Sequence, residues 1–342
     1  MPAPLASVTP FVAAFIAAFG FFFVVRERPS REVPPPPLPP PEVAWAPAEP
    51  VQGHLFLIRV AVPPGLGMVS AEGEAGGEEL HFVRVASAEA LVASFESPSA
   101  SADSPARFAY SPAPSADSPA ALDSIFESLA PVPINATGTI EAWVRATYAD
   151  GRTRTDSLRI PVVAGEYEHE RLRVAPRFGS PPNEEDQARL QRERERAAQV
   201  PRDARVTPRL WTANVVMPRD ARVTSEFGTG REYNGRISSR HMGLDLAGAR
   251  GDTVVAAADG IVALVDSFLL AGNIVYLNHG GGLLSSYSHL SEQLVAEGEW
   301  VSAGTPIGRV GATGRVTGPH LHWVVRYGNT TVDPRSLLAL VR

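Results

Sequence analysis

No cysteine occurs in the 342 residues, which excludes disulfide scaffolds, thiolate nucleophiles and Cys-ligated zinc or iron–sulfur centres. Any metal must therefore sit on histidine and carboxylate. Positive charge is also short: 31 Lys+Arg stand against 37 Asp+Glu, a net charge of -6. A general polyanion-binding surface is a poor expectation on that balance, and no nucleic-acid partner is expected. The remaining composition, 44% hydrophobic and 20% charged, suits two or three globular units at this length rather than one uniform core.

Phe11 to Val25 is apolar throughout, and Leu5 to Val8 extends that character across a stretch containing Thr9 and Pro10. The stretch, about twenty residues, is long enough to cross a bilayer. No Lys or Arg precedes it, no small-x-small cleavage site closes it, and Arg26 and Arg28 follow directly. Residues 1–28 are thus expected to be a transmembrane anchor or a signal segment, the uncleaved anchor helix fitting better, with a packed core helix as the bland alternative. The flanking arginines alone would place the rest of the chain in the cytoplasm. Residues 29–50 hold ten prolines and read as an extended polyproline spacer.

From residue 51 to 173 short alternating segments follow one another: His54 to Val60, Glu79 to Val85, Thr139 to Tyr148 and Thr155 to Val163, with a turn at Ala149-Asp150-Gly151. They predict an immunoglobulin-like antiparallel β-sandwich. Ser-Ala-Asp-Ser-Pro-Ala occurs at 101–106 and again at 115–120, a composition that cannot supply a core and reads as an inserted loop. His54, His81 and His169 have no ligand-like spacing and read as surface or strand-packing residues. Residues 174–204 form a polar helical linker, with the helix over Asn183 to Gln199. Pro-Arg-Asp-Ala-Arg-Val-Thr appears at 201–207 and at 218–224, read as paired strand-entry segments or chance.

Residues 205–342 change character. Strand-sized apolar pieces such as Gly260 to Val265 and Asn273 to Leu277 are punctuated by glycine, which indicates an all-β unit. Five of the eight histidines fall here. His241 and Asp245, four apart, face one way on a helix and also on a strand; Gly243 between them favours the strand or a tight loop. His320 and His322 share one face of a strand, with Leu321 and Trp323 turned to the core. His289 follows Tyr287-Ser288 at the end of an apolar strand. His279 reads as a packing residue outside any site, and Tyr287 more simply as core than as cleft lining. Two His and one Asp as ligands would leave a fourth position for water, whose pKa zinc brings near neutrality. Two further histidines could then move its proton or stabilise developing charge.

Taken in order, His241-x-x-x-Asp245, Tyr287-x-His289-Leu290 and Gly318-Pro319-His320-Leu321-His322 resemble the motifs of the LytM/lysostaphin-type M23 family of zinc metallopeptidases. Ser225 to Gly228, Gly272-Asn273, His279-Gly280 and the glycine ladder from Gly304 to Gly314 are similar as well, so the resemblance spans about 205–336. It implies an all-β, antiparallel-sheet metallopeptidase domain. It further implies Zn2+ held by His241, Asp245 and His322, and catalytic roles for two non-ligand histidines. His320 would help activate water, and His289 would assist at the tetrahedral intermediate. Val324 and Val325 follow Trp323 where relatives carry an acidic residue.

The family acts on the peptide part of bacterial peptidoglycan. The resemblance thus implies an endopeptidase of its cross-links or cross-bridges, located in the cell envelope, membrane-anchored through 1–28 or exported to the periplasm or cell surface. An exported enzyme would override the topology cue of the arginines. The alternatives are a catalytically silent envelope scaffold or regulator, a carbohydrate- or peptide-binding module built on the sandwich, and a cytoplasmic metalloenzyme.

Overall fold

The computed structural model describes residues 35–341 except 64, 86–124, 175–181, 213 and 234–236. The chain divides into two units, Met1–Pro37 and Leu38–Arg342, and every described element belongs to the second. The apolar run within 1–28 and both copies of the Ser-Ala-Asp-Ser-Pro-Ala repeat lie outside the described residues. Among the described residues no helix is long and apolar enough to cross a membrane.

Eight strands build two four-stranded antiparallel sheets: β1 (Glu42–Ala46), β2 (Leu55–Ala61), β3 (Met68–Ala75), β4 (Glu78–Glu79), β5 (Val83–Val85), β6 (Ile125–Pro131), β7 (Thr139–Tyr148) and β8 (Thr153–Pro161). Their orders are β1-β2-β6-β5 and β4-β3-β7-β8. In β7 the alternation is complete: Ile140, Ala142, Val144, Ala146 and Tyr148 are buried and the residues between them are not. One face of the sheet meets the core and the other meets water. β2 is buried along its whole length for a different reason. Phe56, Ile58 and Val60 pack between the two sheets, while Leu55 and Leu57 join the core of the C-terminal domain.

Two expectations shift here. The segment 79–85 is not one strand, because the chain crosses from one sheet to the other between β4 and β5. Leu80 dives into the core there, and the His81 amide is taken by Ser128 Oγ at 3.0 Å and Tyr327 Oη at 3.1 Å. The end of the proline-rich stretch, from Leu38 on, is part of the fold. Its residues 42–46 form β1, Leu38 packs on the core, and the Tyr148 hydroxyl donates to the Pro39 carbonyl at 2.8 Å.

The C-terminal region follows β9 (His169–Leu172), α1 (Glu184–Ala197) and α2 (Gln199–Val206) with β10 (Val223–Ser225), β11 (Gly230–Tyr233), β12 (Ile237–Arg240), β13 (Leu244–Ala247), β14 (Thr253–Val255), β15 (Gly260–Phe268), β16 (Gly272–Gly280), β17 (Leu283–Gln293), β18 (Trp300–Val301), β19 (Pro306–Val310), β20 (His320–Tyr327), β21 (Thr330–Val332) and a closing α3 (Pro334–Leu340). The main sheet is antiparallel with order β10-β13-β20-β17-β16-β15-β18; β19 pairs with β14 and β17, and β21 pairs with β20. A small second sheet, β12-β11-β9, contains a parallel pair between β9 and β11.

α1 is capped by Asn183, whose side chain accepts from the Asp186 amide, with Glu184, Glu185 and Asp186 in its first turn. These are the features that favour a helix start. It is not a free connector, for Arg196 pairs with Asp266 at 2.5 Å and with Glu297 at 2.8 Å. The repeated heptapeptide is a correction to the strand-entry reading. Its first copy lies in α2, where Val200 and Ala204 are buried against Leu264, Phe268, Ile274 and Leu284. Its second copy turns and enters β10, with Arg219 held by the Ala247 carbonyl and Asp252. Identical local propensity is overridden by what each copy packs against.

Candidate metal centre

The pairing of β13 with β20 places Asp245 directly opposite His322, and Ala247 opposite His320. The period of two along β20 buries Leu321 and Trp323 on one face and leaves His320 and His322 on the other. His241 stands just ahead of β13 in a loop held by two backbone bonds, from its amide to the Thr229 carbonyl and from the Gly228 amide to its own carbonyl, each 2.7 Å. The four-residue spacing is therefore of the loop-and-strand kind. Gly243 makes the close approach possible. A Cβ there would lie 2.6 Å from His322 Cε1 and 2.7 Å from the Trp323 carbonyl oxygen.

Three ligand-type atoms converge. Asp245 Oδ1 lies 3.0 Å from His241 Nε2 and 2.8 Å from His322 Nδ1, and the two imidazole nitrogens are 3.0 Å apart. The His241 Nδ1–H donates to the Glu226 carbonyl at 2.8 Å, so in the neutral ring Nε2 presents a lone pair to the cluster. Two imidazoles and a carboxylate turned on one point, His241 and Asp245 buried and His322 half-buried, form a donor set that suits zinc. His241, Asp245 and His322 thus make a compact mononuclear zinc site. Burial pushes the Asp245 carboxyl up, but hydrogen bonds and charge from His241 and His322 prevail and hold it well below the usual carboxylate range. Burial lowers His322, against the pull of Asp245.

His289 and His320 adjoin the cluster. Their rings are 4.9 Å apart, and His289 is 5.8 Å from the ring of His322. His320 Nε2 lies 3.6 Å from Asp245 Oδ1. Each Nδ1–H is claimed by a backbone carbonyl, Thr313 for His289 at 2.8 Å and Gly318 for His320 at 2.9 Å. In the neutral rings both Nε2 atoms are consequently acceptors. His289 has φ 63°, the one left-handed non-glycine among the described residues. That conformation costs about 1–3 kcal/mol and concentrates at functional sites. It breaks the alternation that would continue the buried face of Tyr287. Burial, then the charges of His322 and His320, bring its pKa down to about 3.

His279 stands apart from this group. It is buried, donates from Nδ1 to the Asp259 carbonyl at 2.8 Å and has Ser285 Oγ 2.7 Å from Nε2. Tyr287 is core, its hydroxyl accepting from the Ala257 amide at 2.8 Å. Sequence reasoning missed Arg231, whose Nη2 donates to Asp245 Oδ2 at 2.6 Å, and Glu170, 3.4 Å from Arg231 Nε. No spacing signalled them, because the contact of Glu170 depends on a parallel pairing between segments about sixty residues apart.

Residues 239–334, which include all five of the converging His and Asp residues, match the sequence profile of Peptidase family M23. The peptidoglycan DD-endopeptidase ShyC of Vibrio cholerae is 39% identical over 97 residues, 28% of this chain and 22% of that protein. ShyA of the same organism, also a peptidoglycan DD-endopeptidase, is 46% identical over 83 residues, 24% of this chain and 19% of that one. The matched segment spans about a fifth of the length of these relatives. A crystal structure from Pseudomonas aeruginosa assigned to peptidase M23 has the same fold over 85% of this chain and 96% of its own, with TM-score 0.57 and 22% identity. The site geometry and these matches together place residues 239–334 of this chain in Peptidase family M23.

Proposed function

We propose that this protein is a zinc-dependent endopeptidase that hydrolyses peptide cross-links or cross-bridges of bacterial peptidoglycan. The observation that carries this reading is the convergence of His241, Asp245 and His322 on one point with the acceptor nitrogens of His289 and His320 beside it. The relatives' activity on peptidoglycan points to the substrate class. His241 Nε2, Asp245 Oδ1 and His322 Nδ1 would hold the metal. Bound there, zinc would act as a Lewis acid and lower the pKa of a neighbouring water.

His320, with its Nδ1–H fixed on Gly318, takes the proton at Nε2 as water attacks the scissile carbonyl carbon. It returns that proton to the leaving amine when the C–N bond breaks. His289, held neutral by burial, accepts a hydrogen bond at Nε2 from the hydroxyl of the tetrahedral adduct. The bond from its Nδ1–H to the Thr313 carbonyl keeps the ring in place.

His241→Ala should lose zinc and hydrolysis together. His289→Ala should retain zinc, measured by elemental analysis, while turnover falls by about 10²–10⁴-fold. Equal zinc loss in the two variants would break this division of roles.

The same reading places the protein in the cell envelope, with 1–28 as membrane anchor or export signal and the remainder facing the wall. It also takes residues 51–173, with β1 added, as an immunoglobulin-like sandwich. Labelled A, B, C, C′, D, E, F and G in chain order, the strands give the sheets A-B-E-D and C′-C-F-G, an order that supports this reading.

A further inference from the structure

We infer that Arg231, clamped by Glu170 of the linker strand β9, is a positioning residue that fixes Asp245 as a one-oxygen ligand of the metal centre. This rests on the metal-centre reading above and extends it to residues outside the family-matched region, since Glu170, Ser225 and Arg231 all precede residue 239.

The two oxygens of Asp245 have separate partners. Oδ1 faces His241 and His322, whereas Oδ2 accepts from Arg231 Nη2 at 2.6 Å. The same Nη2 is 2.7 Å from Ser225 Oγ, which in turn donates to Glu170 Oε1 at 3.0 Å. Arg231 Nε and Glu170 Oε2 form an ion pair at 3.4 Å. Two strand ladders set this up. Glu170 is the direct partner of Arg231 in the parallel β9–β11 pair, and Ser225 is the direct partner of Asp245 in the β10–β13 pair. The side chains of Arg231 and Asp245 are 12% and 8% exposed, so the guanidinium is turned inward on these groups, with Nε held to Glu170 by charge and not by a hydrogen bond.

A carboxylate with both oxygens free can close on a metal through two bonds and occupy the position that water needs. A charge-assisted bond to Oδ2 prevents that closure. Glu170 in turn compensates the buried arginine. The centre is thereby tied to the segment that leads out of the sandwich.

The test uses the full chain and three variants, Arg231→Met, Arg231→Lys and Glu170→Gln. Zinc is titrated in competition with a chromophoric chelator, and the Co2+-substituted proteins are compared by visible absorption. Arg231→Met should bind zinc about 10–100-fold more weakly, and its cobalt band should lose intensity as Asp245 becomes bidentate and the coordination number rises. Arg231→Lys should recover part of the affinity without the wild-type band, because a point charge does not reproduce the fork. Glu170→Gln, on a less buried side chain that tolerates replacement, should shift both readouts in the same direction by a smaller factor. Unchanged zinc affinity and an unchanged cobalt spectrum in Arg231→Met, or in a Glu170→Gln protein with wild-type melting, would overturn the inference. Failure of the wild-type protein to bind zinc would instead remove the metal-centre reading beneath it.

Discussion

Glu78 lies in β4 of the two N-terminal sheets, yet the partners of its carboxylate lie beyond them. Oε1 accepts from the Asn329 amide at 2.9 Å and from Thr330 Oγ1 at 3.0 Å, and Oε2 is 3.2 Å from Arg205 Nη2. The residue is 5% exposed. Glu78→Ala removes these three hydrogen bonds, of which the two to Oε1 are worth about 1.5–3 kcal/mol each. Water can reach Asn329 at its exposed turn, which favours the low end, and Arg205 is 39% exposed, so its ion pair adds little. The variant should therefore lose about 3 kcal/mol of stability. Urea unfolding at fixed zinc, followed by tryptophan fluorescence and by far-ultraviolet circular dichroism, measures it. Coincident single transitions are expected, because Leu55, Leu57 and Leu129 of the sandwich belong to the same core as Trp211, Leu337 and Val341. A loss below about 1 kcal/mol, or two separated transitions of which one is unaltered, would refute the view that the two parts fold as one. By the same reasoning a fragment starting at residue 205 should be unstable, since it exposes that shared face and forfeits the packing of Val200 and Ala204.

Gly243→Ala should weaken zinc binding by about tenfold or more. Its new methyl would meet the Trp323 carbonyl, which can retreat only by opening the β13–β20 pair that aligns Asp245 with His322; wild-type affinity would contradict this. His279 gives a pH test away from the metal. Burial lowers its pKa to about 4, whereas the unfolded chain takes the proton near 6.5. The unfolded state binds more protons in that window, so stability should fall by about 3 kcal/mol as pH drops from 6.5 to 4. A urea series across that range should show a shallower slope for His279→Gln, and an identical slope would contradict the assignment.

The parts of the site that could be read in the sequence are those in which local geometry carries the information. His320-x-His322 on an alternating strand and His241 beside a glycine that only a close strand crossing requires are both decided within a few residues. Long-range features were not readable in the same way. β2 looks like an ordinary apolar strand, and nothing local reveals that Phe56 and Leu57 enter different cores. The heptapeptide that is helix at 201–206 and turn and strand at 218–224 has no local preference strong enough to choose. Its two conformations follow from Ala204 finding a sheet to cover and Val223 finding Leu246 to pair with. Arg231 and Glu170 are invisible for the same reason, as their meeting requires a parallel pair between segments far apart in the chain.

The most direct test of the central claim is mass spectrometry of soluble fragments released from purified peptidoglycan by the zinc-loaded full chain, with and without chelator. The account predicts peptide fragments carrying a newly hydrolysed amide bond, lost on chelation and restored by zinc. Zinc-loaded, folded protein that releases no peptide fragments from several wall chemistries would contradict it.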